Sequence, residues 1–384
     1  MIDEPDHPSD PKIPEAIVGF CSGSSPYLPN EATDEAFVEA MRAVTALHMA
    51  RSPWYGRFAR ANGVDPDRIR SLSDALALPP VHANFFKAHE IRSIPRDQVK
   101  VHLTSSGTSG QKSQMFFDEF TITHARRMVD ACMRERGVVS DAPANYLVNA
   151  YEPYEGFEVG TSNTNQYLMS LAPVADQFWS LRHVGGGRHE FDGFGAIRTL
   201  TEWASGDRPV RIIGFPAFLH FILERMRAIG QSNLRLPPGS WVIFGGGWKG
   251  HADRAIPKEA LHAAIGEQLG IPSARVVETY GSVEHSIPYV DCPDHHLHQP
   301  TWSRVVVRDF RTLVPVPDGT PGFLSFVSPY ITSAPAHSVV MGDIGIRHAP
   351  APDDSRPTPW FEILGRAGLS KNKSCAAAAA ELLK

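Results

Sequence analysis

The sequence predicts an α/β protein built on a largely parallel sheet and followed by a smaller β-rich part. Two observations carry this expectation. Between about residues 205 and 281, short apolar runs alternate with amphipathic stretches, and after residue 300 the texture becomes β-rich with Pro and Gly punctuation. In the first region VRIIGF (210–215) reads as a buried strand, and PAFLHFILERMRAIG (216–230) as a helix opened by a proline and closed by a glycine. SWVIF (240–244) is the next strand, broken by GGGWKG. PKEALHAAIGEQLG (257–270) puts Leu261, Ala264, Ile265 and Leu269 on one helical face. ARVVETYGSVEH (274–285) is strand-like and turns sharply at Gly281. Ligands of such sheets sit beyond the carboxyl ends of the strands, which is where the glycine-rich turns fall.

Nearer the start, residues 34–51 carry apolar side chains at helical spacing, and 122–136 read as a further helix. Beyond residue 300, WSRVVVRDF, GFLSFVS and VVMGDIGIRH suggest an antiparallel subdomain. The last stretch, LGRAGLSKNKSCAAAAAELLK, is polar and then helix-forming through its five alanines. The expected organisation is a loosely held, acidic and Pro-rich arm (1–30), an α/β core (31–300), a β-rich subdomain (301–364) and a hinge remnant with a C-terminal helix (365–384).

Bulk properties narrow the function. A formal net charge of −5 argues against a nucleic-acid partner gripped by a broad basic face. No stretch approaches the roughly 18 apolar residues that span a bilayer. MIDEPDHPSDPKIPEA resembles neither a signal peptide nor a transit peptide. The four cysteines, Cys21, Cys132, Cys292 and Cys375, form no CxxC pair and suit a reducing compartment. A cytoplasmic protein without a membrane partner is expected.

The densest chemical signal is VHLTSSGTSGQKSQMFFD (101–118). Small residues let backbone N–H groups approach a ligand closely, and hydroxyls beside Lys112 suit an anion. The run is not a Walker A loop, because Gly107 and Gly110 are three apart and Gln111 separates Gly110 from Lys112. A flexible surface loop is the plain alternative.

TSSGTSGQK (104–112) resembles the phosphate loop of the adenylate-forming superfamily of acyl- and aryl-CoA synthetases, adenylation domains and firefly luciferase. TYGSVE (279–284) resembles that superfamily's aromatic-Gly-x-x-Glu motif, MGDIG (341–345) its Thr-Gly-Asp motif and LGRAG (364–368) its Gly-Arg hinge. GGGWK (245–249) stands at the place of its adenine loop. The likeness covers about residues 100–370 and implies the large N-terminal domain of that fold, with parallel sheets flanked by helices and a small β-rich subdomain. The usual C-terminal domain, with the lysine that assists adenylation, has no counterpart in the resemblance.

The resemblance also implies roles. Thr104, Ser105, Ser106, Gly107, Thr108, Ser109, Gly110 and Lys112 would follow the phosphates of ATP. Tyr280 and Gly281, with Gly245, Gly246 and Gly247, would hold the adenine. Asp343 would accept from the ribose hydroxyls, Arg366 would act at the hinge, and Glu284 would hold Mg²⁺. Lys112 or Lys249 would take part of the missing lysine's role. The reaction implied is attack of a carboxylate on the α-phosphorus of ATP, giving an acyl-adenylate by positioning and electrostatic stabilisation.

LTSSGTSGQKSQ, FGGGWK and a late cysteine are similar to one truncated branch, the acyl-protein synthetases of the bacterial bioluminescence fatty-acid reductase complex. That likeness implies transfer of the acyl group to Cys375 and then to a partner acyl reductase or acyltransferase. Ser374 is a natural N-cap, so Cys375 falls in the first turn of a helix near Lys371 and Lys373, where a thiolate is favoured. Tyr151, Phe157, Phe215 and Trp248 would line a pocket for a fatty or aromatic acid. DCPDHHLHQP clusters Cys292, His295, His296 and His298, a set able to bind Zn²⁺ or to form an ordinary loop. A stand-alone ligase delivering to coenzyme A or a carrier protein, and a degenerate nucleotide-binding scaffold, are the alternative readings.

Overall fold

The computed structural model describes residues 12–23, 25–104, 114–155, 160–248 and 250–367. The chain divides into two compact units. Unit one takes residues up to Cys132 with Gly281–Tyr289 and the chain from His296, and unit two takes Met133–Tyr280 with Val290–His295.

Unit two is the doubly wound part. Inside the short edge strand Tyr289–Val290, its sheet runs Val276–Tyr280, Trp241–Phe244, Val210–Gly214, Ala144–Tyr151, Val174–His183 and His189–Phe191. Adjacent strands are parallel until His189–Phe191, which pairs antiparallel to Val174–His183. The central strands read as continuous apolar runs because both faces are covered, and every residue of Val210–Gly214 is buried. Helices Gly193–Ala204, Pro216–Ala228 and Lys258–Leu269 cover one of these faces, packing on Leu147, Val210, Ile212 and Val242. Asp192 caps the first by accepting from the Gly195 N–H at 2.7 Å, Pro216 opens the second, and Gly270, at φ 73°, ends the third. Leu261, Ala264, Ile265 and Leu269 are buried, as their helical spacing requires, and pack in one core with Leu200, Leu219, Ile222 and Val242. Each of the leucine, isoleucine and valine side chains contributes roughly 1.5–3 kcal/mol by leaving water.

Unit one holds an antiparallel sheet ordered Leu297–His298, Trp360–Arg366, Ser338–His348, Gly322–Val327 and Arg304–Arg308. Val81–His82 joins it in parallel through Val81 opposite Val339 and His82 opposite Val340. The β-rich sheet therefore begins before residue 300 and recruits two residues from far upstream. Helix Glu31–Arg51 includes the periodic stretch seen in the sequence. Residues 15–21, expected in a loosely held arm, form a helix that buries Ile17 and Cys21. The apolar run IVGFC explains the difference, since it concentrates side chains that can be buried, whereas the preceding stretch is mostly Asp, Glu, Pro, Ser and Lys. Among the described residues, no helix is long and apolar enough to cross a membrane.

Candidate active site

In unit two the strand order reverses direction between Ala144–Tyr151 and Val210–Gly214, the crevice where doubly wound sheets bind ligands. Asn149 pairs with Gly214 there, and the Phe215 N–H donates to the Asn149 carbonyl at 3.0 Å. Gly245 follows the next strand, and its N–H donates to the Gly214 carbonyl at 3.2 Å. Gly246 has φ 76°, and a β-carbon on it would lie 2.8 Å from the Phe215 ring. The glycine turn is thus shaped by both chain direction and the approach of Phe215. Thr279 fastens the strand that ends at Tyr280 by donating its hydroxyl to the Phe244 carbonyl at 2.8 Å.

The aromatic residues expected to form an acid pocket lie in this unit. Tyr151 and Phe215 are 6.2 Å apart between ring centroids, and Phe215 and Phe218 are also 6.2 Å apart. Trp248 meets His220 edge-on at 5.5 Å and packs against the core. Burial lowers the His220 pKa, which favours its neutral ring, and its Nε2 lies 3.4 Å from Glu224 Oε1. Sequence reasoning passed over Asn149. It is 1% exposed, and neither atom of its side-chain amide has a hydrogen-bond partner among the described residues. Its signal was a single amide inside the buried run YLVNAY.

In unit one, strands Val101–Thr104 and Gln114–Phe117 form a hairpin with Thr104 opposite Gln114. The flanks of the Ser/Gly loop therefore pair in register, with Met115, Phe116 and Phe117 buried as anchors. Ser105, Ser106, Gly107, Thr108, Ser109, Gly110 and Lys112 lie outside the described residues, as do Phe157, Lys249 and Cys375. Asp343 stands opposite Arg366 in the antiparallel ladder, with Arg366 Nε 3.8 Å from Asp343 Oδ1. Just past this pair, the Ala367 N–H donates to the Gly342 carbonyl at 2.8 Å. Two positions expected to serve one nucleotide are thus neighbours in space. Glu284 is 4% exposed, and Ser282 beside it in sequence contacts Met341 Sδ at 3.9 Å through its hydroxyl.

The Cys/His stretch is used unevenly. Both ring nitrogens of His295 are engaged, Nε2 at 2.8 Å from Ser273 Oγ and Nδ1 at 2.9 Å from Asp291 Oδ2. His298 Nδ1 lies 2.6 Å from the Thr358 carbonyl oxygen, and His296 stacks on Trp360 at 3.9 Å. Cys292 is buried and free. Hydrogen bonding thus removes His295 from the ligand set expected for Zn²⁺.

Comparison with known proteins follows this geometry. The family described as Acyl-protein synthetase, LuxE matches residues 24–384. The chain belongs to the acyl-protein synthetase LuxE family. A long-chain-fatty-acid–luciferin-component ligase of Vibrio harveyi is 24% identical over 86% of this chain and 83% of its own. The ligase of the same name from Aliivibrio fischeri is 24% identical over 90% of this chain and 88% of its own. Among solved structures, 2-hydroxyisobutyryl-CoA ligase in the postadenylation state with R3-HIB-AMP is similar, with a TM-score of 0.62 and 16% identity. It is matched over 89% of this chain and 69% of its own. That likeness shows that the chain shares the fold of this CoA ligase. This LuxE-family chain is an enzyme, an acyl-protein synthetase that uses ATP to activate a carboxylic acid and transfers the acyl group.

Proposed function

We propose that the acid is a fatty acid, that its adenylate is passed to Cys375 as a thioester, and that a partner acyl reductase or acyltransferase takes the acyl group from there. The pairing of Asp343 with Arg366 carries the nucleotide half of this reading, because it holds an acceptor for ribose hydroxyls against a cation. The names of the two relatives, long-chain-fatty-acid–luciferin-component ligases, support the choice of acid.

Each side chain has a bounded task. Backbone and hydroxyl donors of residues 104–110, with Lys112, hold the triphosphate. Tyr280 and Gly281 stack on and border the adenine, and Gly245, Gly246 and Gly247 admit the base edge. Asp343 accepts from the ribose, and Arg366 keeps that carboxylate oriented. Glu284 offers the buried oxygen donors that suit Mg²⁺, and the ion when bound neutralises phosphate charge. The carboxylate oxygen of the acid bonds to the α-phosphorus, and the bond to the bridging oxygen of pyrophosphate breaks. The Cys375 thiolate then bonds to the acyl carbon, and AMP leaves. Tyr151, Phe157, Phe215 and Trp248 exclude water from the acid chain, and Lys112 or Lys249 stabilises charge on the reacting phosphate.

The test is pyrophosphate release from the full chain with ATP, Mg²⁺ and a panel of carboxylic acids, followed by intact-mass analysis. A long-chain acid should give pyrophosphate and an adduct on Cys375. Release only with short aromatic acids, or an adduct on another residue, would overturn the reading.

A further inference from the structure

Unit two carries a second cluster of reactive groups at the opposite, amino-terminal end of strand Val276–Tyr280. Ser273 lies on a single 3₁₀ turn that leads into that strand, and it is exposed. Its Oγ is 2.8 Å from His295 Nε2, and His295 Nδ1 is 2.9 Å from Asp291 Oδ2. Asp291 is fully buried, and Arg136 Nε stands 3.5 Å from its other oxygen. The Asp291 N–H donates to the Glu278 carbonyl at 3.1 Å, which fixes the carboxylate to the sheet.

The supports around this trio are unusually complete. Arg136 also donates to the Ala274 carbonyl at 2.9 Å, tying the Ser273 turn to the Asp291 carboxylate. Lys258 Nζ donates to the His295 carbonyl at 3.3 Å, holding a residue whose φ is 63°, in the left-handed region. A non-glycine residue kept there costs on the order of 1–3 kcal/mol unless its surroundings enforce it. His262 Nδ1 lies 3.1 Å from Ser273 Oγ, and its ring meets that of His295 edge-on at 4.4 Å. Burial pushes the His262 pKa down to about 4, so it contributes a hydrogen bond and no charge. Pro272 and Arg275, the neighbours of Ser273 and Ala274, line a cleft of about 240 Å³ together with Leu236, Pro238, Ser240 and Ile271, among others.

The geometry points to a serine acyl-transfer site, with Ser273 as nucleophile, His295 as general base and Asp291 as the group that orients it, acting on esters or thioesters of small apolar acids. Nucleophile, base and orienter are each within hydrogen-bond reach in the order this chemistry needs. The Ser273 oxygen bonds to the acyl carbon while its proton passes to His295 Nε2. The bond from that carbon to the leaving oxygen or sulfur breaks, and the leaving group takes the proton from His295. Water then attacks the acyl-serine by the same route, giving the free acid and restoring Ser273. The cleft bordered by Pro272 and Arg275 receives the apolar acyl portion. This site shares no residue with the acid-activating machinery, so neither reading depends on the other.

Two probes test it on the full chain without ATP: a biotinylated fluorophosphonate, whose phosphorus is attacked with loss of fluoride, and p-nitrophenyl butyrate. The expected result is one phosphonyl adduct on the peptide containing Ser273 and steady release of p-nitrophenolate. Ser273→Ala should abolish the adduct and lower release at least tenfold while the chain stays folded at the assay temperature, its melt lowered only by the hydrogen bond that buried His262 loses. His295→Gln should do the same to both readouts, whereas Cys375→Ser should alter neither. An adduct on another residue, no adduct at all, or undiminished release from Ser273→Ala would overturn the proposal.

Discussion

Gly214 leaves its strand with φ 112°, and a β-carbon on it would lie 2.5 Å from the carbonyl oxygen of Asn149 on the neighbouring strand. The contact is backbone against backbone, so neither side can move aside without parting the two central strands. It also sets where Phe215 begins its helix, since the Phe215 N–H donates to that same carbonyl. Gly214→Ala should therefore combine strain of about 1–3 kcal/mol with displacement of the crevice. Urea unfolding should show the lost stability, and acid-dependent pyrophosphate release should fall by at least tenfold. Unchanged values in both assays would show that the strands tolerate separation.

Asp343 and Arg366 make a second test. The pair is partly exposed, with Arg366 half open to solvent, so its ionic contribution to folding is small. Removing either member should spare stability and weaken nucleotide binding. Calorimetric titration with ATP should show at least a tenfold loss of affinity for Asp343→Asn and a smaller loss for Arg366→Ala. A melt shifted by many degrees with affinity intact would assign the pair to folding instead.

On the proposed route, substitution of Cys375 would separate the two half-reactions. With Cys375→Ser, hydroxamate trapping of the adenylate should proceed at close to the original rate. The mass shift from incubation with ATP and a fatty acid should disappear. Loss of both signals would place the cysteine in adenylation rather than in acyl transfer.

Buried histidines make stability depend on pH, His285 and His337 among them. His337 contacts the Tyr55 hydroxyl at 2.9 Å, and His285 contacts the Tyr289 hydroxyl at 3.0 Å and the Ser303 hydroxyl at 3.1 Å. Burial lowers each pKa from 6.5 to about 3. The unfolded chain thus takes up protons below pH 6.5 that the folded chain refuses. Stability is full above pH 6.5 and declines as pH falls toward 3, by about 1.4 kcal/mol per pH unit for each histidine. Urea midpoints measured at pH 7.5 and pH 5 should differ accordingly, and His337→Gln should flatten the slope by that one ring's share, His48, His262 and His285 keeping theirs. A midpoint independent of pH would mean that both rings stay accessible to protons.

The parallel sheet was legible because its strands are continuous apolar runs ended by glycines, a local pattern that needs no partner to be recognised. VRIIGF and SWVIF became Val210–Gly214 and Trp241–Phe244, and the Leu261 face lay against the core. Val81–His82 was invisible, since two residues carry no period and their place is fixed only by Val339 and Val340. The Asn149 amide was passed over because a lone polar residue in an apolar run signals nothing until burial is known. Ser273, Asp291 and His295 belong to no contiguous motif, and His295 drew notice only as a possible metal ligand.

The sequence by itself determined the chemistry class of this protein, because the phosphate-loop, aromatic-Gly-x-x-Glu, Gly-Asp and Gly-Arg signatures are short runs whose order survives in one dimension. Only the tertiary structure decided which side chains answer one another. Asp343 faces Arg366 through strand register, and Ser273 reaches His295 because a 3₁₀ turn and a loop meet beside one strand. Register and loop closure are set by packing summed over many distant residues, and no local pattern encodes that sum.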